Sequence, residues 1–219
     1  MIIIFDLDDT LYEELSYVKS GFKEVALKLE INESIKSTES YEFMIDYLEK
    51  NGRHFILNAL LEKYNIYNKK NLHKYLIFYR KHKPKIKIDG KIKESLVNLN
   101  KKYSLYLVTD GNKLVQSIKV DTLGIKYLFK KVFITHRYGL KSAKPSLNCF
   151  KKIKDIEKCK WSEIVYIGDN PLKDFVNLNK VGAQTVRILK GPHKKIIPKK
   201  GYAAKFTYES IDKFFLNYE

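Results

Sequence analysis

The chain has 219 residues, 44% of them hydrophobic and 31% charged, a balance that supports a packed core and excludes global disorder. Two cysteines exclude a disulfide scaffold, no apolar run approaches the ~20 residues of a membrane span, and the run Ile2-Ile3-Ile4-Phe5 is too short for a signal core, so a cytoplasmic protein is expected. The formal charge of +17 is spread along the whole chain, which favours a lysine-rich solvated surface over a nucleic-acid-binding block and leaves attraction to a phosphorylated partner as the functional reading.

The β-branched opening predicts a buried strand over 1–7 with carboxylates at its C-terminal end. From 13 to 83 the pattern is helical: Leu15, Val18, Phe22, Val25, Ala26 and Leu29 set a spacing that three further segments repeat, which predicts about four amphipathic helices. Beyond Pro84 the elements alternate. Helices are expected over 91–100, 113–122, 146–156 and 172–180, and strands over 105–109, 131–135, 164–167 and 184–188, with a short strand near 205–208, a last helix near 210–216 and a basic surface loop over 191–200. Such alternation predicts an α/β fold: a Rossmann-like three-layer core with a mostly parallel sheet, formed by 1–12 and 84–219, and a helical bundle cap inserted over 13–83. Ligands of such sheets bind beyond the C-terminal strand ends, so an insert leaving from one of them is expected to act as a lid.

Three of the predicted strands end in polar residues: Asp6-Leu7-Asp8-Asp9-Thr10, Thr109-Asp110-Gly111-Asn112 and Gly168-Asp169-Asn170, the last followed by Asp174. Lys144-Pro145 follows the strand at 131–135. Asp6, Asp8, Asp169 and Asp174 would then meet at one sheet end, where their mutual repulsion needs a cation. With no His or Cys expected there, the oxygen-only donor set favours Mg²⁺ over zinc.

On these residues the chain resembles the haloacid dehalogenase-like hydrolase superfamily, in its phosphatase branch with a helical cap between the first and second motifs. Asp6 to Leu11 matches the first motif, Thr109 the second, Lys144 the third, and Gly168-Asp169 with Asp174 the fourth. The resemblance implies Asp6 as nucleophile forming an aspartyl-phosphate and Asp8 as general acid and base. It implies Mg²⁺ on Asp6, the Asp8 backbone carbonyl and Asp169, with Asp174 supporting them from behind. Thr109, Asp110, Gly111 and Lys144 would bind the phosphoryl oxygens. Asp9 is expected to cap a turn instead. Lys141 is a second candidate for the lysine, and Asp174 could simply start the helix that follows.

Two positions depart from the common family pattern: Leu147 stands where a second proline is frequent, and Asp110 where Asn is. Unless Asp110 points away, it adds negative charge beside the phosphate. Asp8, two residues after the nucleophile, separates phosphate-ester chemistry from dehalogenation. The implied activity is hydrolysis of a small phosphomonoester (sugar, polyol, amino-alcohol or nucleoside monophosphate) by a monomer or homodimer. A phosphomutase with the same motifs is the alternative enzyme. A basic nucleic-acid-binding protein is the alternative from another class, but no aromatic-basic recognition motif supports it.

Overall fold

The structure is a computed structural model that describes residues 1–216 and 218. The chain divides into two compact units, one formed by Met1–Glu14 and Lys87–Glu219, the other by Leu15–Ile86.

The first unit is built on a six-stranded parallel sheet: β1 (Ile2–Phe5), β2 (Ser104–Thr109), β3 (Lys131–Ile134), β4 (Ile164–Gly168), β5 (Gln184–Ile188) and β6 (Phe206–Tyr208). The order across it is β3-β2-β1-β4-β5-β6. This is a doubly wound arrangement, and the order reverses between β1 and β4. Both neighbours of β1 pair in register, Ile2 with Ser104 and Ile164, Phe5 with Leu107 and Ile167. Alternation along β1 divides its side chains between two helical layers. Ile2 and Ile4 join Tyr106, Val108 and Tyr166 against Phe150 and Ile153 of α7 (Asn148–Glu157) and Leu178 of α8 (Val176–Lys180). Phe5 turns the other way and meets Phe214 and Phe215 of α9 (Ile211–Phe215) at 6.2 and 6.3 Å between ring centroids. Each large side chain fully withdrawn from water contributes about 1.5–3 kcal/mol, so this central strand is the most strongly held part of the sheet. Two further helices complete the unit, α5 (Gly90–Lys102) and α6 (Lys113–Leu123).

The second unit is entirely helical: α1 (Glu14–Glu33, entered from the first unit), α2 (Ser37–Asn51), α3 (Ile56–Lys63) and α4 (Lys69–Lys81). Its core gathers Val18, Phe22, Val25 and Leu29 of α1 with Met44, Leu60, Leu61 and Tyr75. The spacing of the α1 residues is that of one helical face.

One element differs from expectation. The helix expected over 172–180 is only Val176–Lys180. Ahead of it Asn170 accepts the Leu172 N–H on its side chain and donates its own N–H to Asp174, and these local bonds fold 170–174 into a turn. The basic loop after β5 lies on the surface as expected, and it is anchored to the sheet. Its turn Gly191–His193 is held from below, because the Arg187 guanidinium of β5 donates to the carbonyls of His193 and Ile196 at 2.7 and 3.0 Å.

Candidate active site

The C-terminal ends of β1, β2 and β4 deliver their polar residues to one place because the strands are parallel and in register. Asp6 donates its N–H to Ile167 O at 2.8 Å, so it sits across from the end of β4 where Asp169 follows. This is the point of the sheet where the strand order reverses, the position at which ligands of open α/β sheets bind. Carboxylate oxygens of Asp6, Asp169 and Asp174 lie within 4.8 Å of one another, and all three residues are buried.

Lys144 holds two of these acids together. Its ammonium lies 3.0 Å from Asp6 Oδ2 and 2.8 Å from Asp174 Oδ1, and its third bond goes to the Tyr166 hydroxyl at 2.9 Å. The three N–H groups of Lys144 are thereby used. Burial pulls this ammonium down, but Asp174 and Asp6 outweigh it and hold it well above the usual lysine range. Asp174 spends its own oxygens inside the protein: Oδ1 on Lys144 and Tyr166, Oδ2 on the Asn170 N–H at 2.9 Å. Gly168 makes this possible, since a Cβ at that position would stand 2.6 Å from Asp174 Oδ2. Lys141, the second candidate, is exposed.

Asp6 is less well served. Its Oδ1 is buried with no hydrogen-bond partner. Burial pushes the carboxyl up to about 8, with Lys144 pulling against it and Asp174 adding to it. Burial outweighs Lys144 here, and further positive charge beside Asp6 would favour its ionised form. A hard divalent cation on oxygen donors meets that need, and an orphaned carboxylate oxygen beside two further buried acids fits it.

Asp8 leaves this cluster and enters a separate network. Its Oδ1 accepts from the Tyr12 hydroxyl at 2.6 Å and the Lys119 ammonium at 2.8 Å, and its Oδ2 from the Gln116 amide at 3.0 Å. Lys119 is 1% exposed and also reaches Glu14 at 3.1 Å. Gln116 turns its Oε1 to the Thr109 hydroxyl at 3.2 Å, so α6 links the end of β2 to Asp8. Asn112 starts that helix by accepting the Leu114 N–H at 3.0 Å, directly after the turn at Asp110 and Gly111. Asp9 accepts the Glu14 N–H at 3.0 Å, the turn-capping position expected for it.

Asp110 does point away. Its carboxylate takes the Thr135 hydroxyl at 2.7 Å, the Lys144 N–H at 3.1 Å and the Lys173 ammonium at 3.0 Å. Although burial raises it, Lys144 and Lys173 bring its pKa below the usual value. The carboxylate therefore buttresses the Lys144 loop, and only its backbone is left for an oxyanion.

Sequence reasoning missed Gln116, Lys119, Tyr166 and His193. The first two carried a signal, because the buried face of α6 is Gln116, Lys119, Val120 and Leu123, a core stripe with two polar residues in it. His193 corrects the expectation that no histidine reaches the site: its Nδ1 lies 2.8 Å from Asp169 Oδ2. It follows a basic stretch with no spacing to set it apart.

Known proteins similar to this chain fall in one family. Residues 3–188 match the model of a family described as haloacid dehalogenase-like hydrolase. A glyceraldehyde 3-phosphate phosphatase of Methanocaldococcus jannaschii is 30% identical over 203 residues, covering 88% of this chain and 86% of its own length. Among solved structures, the magnesium-bound HAD-hydrolase YfnB of Bacillus subtilis superposes with a TM-score of 0.66 at 18% identity, over 100% of this chain and 98% of that one. A 2-haloacid dehalogenase of Pseudomonas syringae reaches 0.66 at 17% identity, over 99% and 97%. The shared fold therefore accompanies more than one chemistry, and the side chains must choose between them.

Proposed function

Because this chain belongs to the haloacid dehalogenase-like hydrolases, its family model matching residues 3–188, we propose that it is a Mg²⁺-dependent phosphatase acting on a small phosphomonoester through Asp6. The observation that carries the reading is the divided state of the Asp6 carboxylate: Oδ2 is fixed by Lys144 at 3.0 Å while Oδ1 is buried without a partner. One oxygen is held by Lys144, and the other has no partner inside the protein.

Asp6 and Asp169, with the backbone carbonyl of Asp8, would hold the cation, and Asp174 would support them through Lys144 and Asn170. Bound there, the cation supplies the positive charge that lets an anionic nucleophile approach an anionic phosphate. An oxygen of Asp6 attacks phosphorus, the bond from phosphorus to the leaving oxygen breaks, and Asp8 hands a proton to that oxygen. The acyl phosphate on Asp6 is then cleaved by water. Asp8 takes the water's proton, the phosphorus–Asp6 bond breaks, and the carboxylate and inorganic phosphate are restored. The phosphoryl oxygens would be received by the Gly111 amide, with the Thr109 hydroxyl turning from Gln116 and Lys144 from Tyr166 to donate to them. We assign the choice of leaving group to the inserted helical unit, which the chain enters directly from the loop after Asp6.

The relatives named for glyceraldehyde 3-phosphate make a three-carbon aldehyde phosphate the first substrate to try. A phosphate-release assay over phosphorylated metabolites, ranked by kcat/KM, tests the reading. Release that needs Mg²⁺ and no bisphosphate cofactor is expected. Activity indifferent to EDTA, or phosphate transfer without release, would overturn it.

A further inference from the structure

The loop after β5 closes on the acidic cluster, and its hydrogen bonds run in one direction. The Leu172 N–H donates to Asn170 Oδ1 at 2.9 Å, which fixes the orientation of that amide. Its Nδ2 therefore faces the His193 Nε2, 3.1 Å away, as a donor. A nitrogen that accepts carries no proton in a neutral imidazole, so the proton is on Nδ1, and Nδ1–H points at Asp169 Oδ2, 2.8 Å away. The chain Leu172, Asn170, His193, Asp169 is thus a line of donors ending on a carboxylate.

The loop is pinned on two sides to keep that line in place. Arg187, buried in β5, donates to the carbonyls of His193 and Ile196, and so sets the height of the turn above the sheet. Gly191 opens the turn at φ +64°, with its backbone so close to Asp9 that any Cβ would overlap that carboxylate. A surface loop without a task does not need a buried guanidinium beneath it.

We propose that His193 is a positioning residue for the cation: it holds Asp169 in one rotamer by donating from Nδ1 to Oδ2, so that the carboxylate meets a divalent ion already oriented. The inference rests on the reading of Asp6 and Asp169 as cation ligands. Partners of this kind commonly change metal affinity by about 10–100-fold when removed.

The test is binding of Mn²⁺ alone to the full chain, followed from the electron paramagnetic resonance signal of free Mn²⁺ and competed with Mg²⁺. His193→Ala should weaken Mn²⁺ about tenfold or more, with a melting temperature in EDTA within a few degrees of wild type. His193→Asn, whose amide nitrogen can stand where Nδ1 stood, should stay within about threefold of wild type. Arg187→Lys, too short to span the same carbonyls, should weaken the ion severalfold with His193 still present. Unchanged affinity in His193→Ala would overturn the proposal, and so would His193→Asn binding as poorly as His193→Ala. A wild type that takes up no Mn²⁺ would overturn the cation reading itself and this one with it, whereas a wild type that binds beside an equally competent His193→Ala would overturn this one alone.

Discussion

Asp6 and Asp8 stand two residues apart but are held by different lysines. Lys144 aims Asp6, and Lys119 with Gln116 and Tyr12 aims Asp8. Replacing Asp6 by Asn removes the nucleophile and one of three crowded carboxylates together. Turnover should fall at least about 10³-fold while the melting temperature equals or exceeds that of wild type. Steady-state phosphate release and a thermal melt on one preparation check both, and near-normal activity would remove Asp6 from its role. Lys119→Met leaves the Asp8 carboxylate without its cation. We expect kcat to fall about tenfold or more, KM to change little, and stability to drop by about 2 kcal/mol. Urea unfolding measures the last figure, and an unchanged kcat would mean that Lys119 merely fills space. At this scale the sequence disclosed residues with a motif around them. Asp6, Asp8, Thr109 and Asp169 lie in or directly after strand-end runs, Lys144 and Asp174 lie farther along the loops that follow, and the structure brings Asp6, Asp169 and Asp174 together. His193 was silent because a lone histidine in a basic loop looks like solvated surface until the fold places it, whereas Lys119 left only the faint trace of a polar residue in the core stripe of α6.

Elements carry these residues only if their turns close as found. Gly168→Ala puts a methyl against Asp174 Oδ2, and that carboxylate also anchors Lys144 and the Asn170 N–H. A loss of about 1–3 kcal/mol, read as a melting temperature several degrees lower, together with a severalfold weaker response to Mg²⁺, is expected. A variant that melts like wild type would show that Asp174 can shift at little cost. In the helical unit, His82 lies beyond the end of α4, with Nδ1 on Tyr79 O at 2.7 Å, Nε2 buried without a partner, and the Tyr17 ring 4.8 Å away. Burial pulls this imidazole below 6.5, with the Tyr79 carbonyl and the charge of Glu24 pulling the other way. The unfolded chain therefore binds the proton first as pH falls, and folding stability is lost below about pH 6.5. Melts at about pH 7.5 and about pH 5 should show wild type losing a few degrees more than His82→Gln, and equal losses would contradict the assignment. Strands and helices were legible because their periods are long and regular. The shortened α8 was not, since side chains of Asn170 and Asp174 compete for the backbone bonds a helix would use.

For the molecule as a whole, the formal charge of +17 should draw phosphorylated substrates toward the site and fade with ionic strength. Raising KCl from about 20 to about 300 mM should raise KM for a dianionic phosphomonoester severalfold and leave kcat in place. A flat KM would mean that the lysines lie off the approach path. The sheet order was not readable from the chain, because alternation gives parallel strands but not which of them flank β1. That order has a consequence for biosynthesis. β1 is seated between β2 and β4, so its second partner is not translated until residue 164. At roughly 5–20 residues per second, the ribosome leaves the nucleophile's strand without that partner for on the order of ten seconds or more. The helical insert, continuous in sequence over Leu15–Ile86, is finished within that interval. A nascent chain arrested before β4 would carry Asp6 and a bare apolar edge, making it a client for a holding chaperone, and it would have no catalysis until Asp169 and Asp174 have been made.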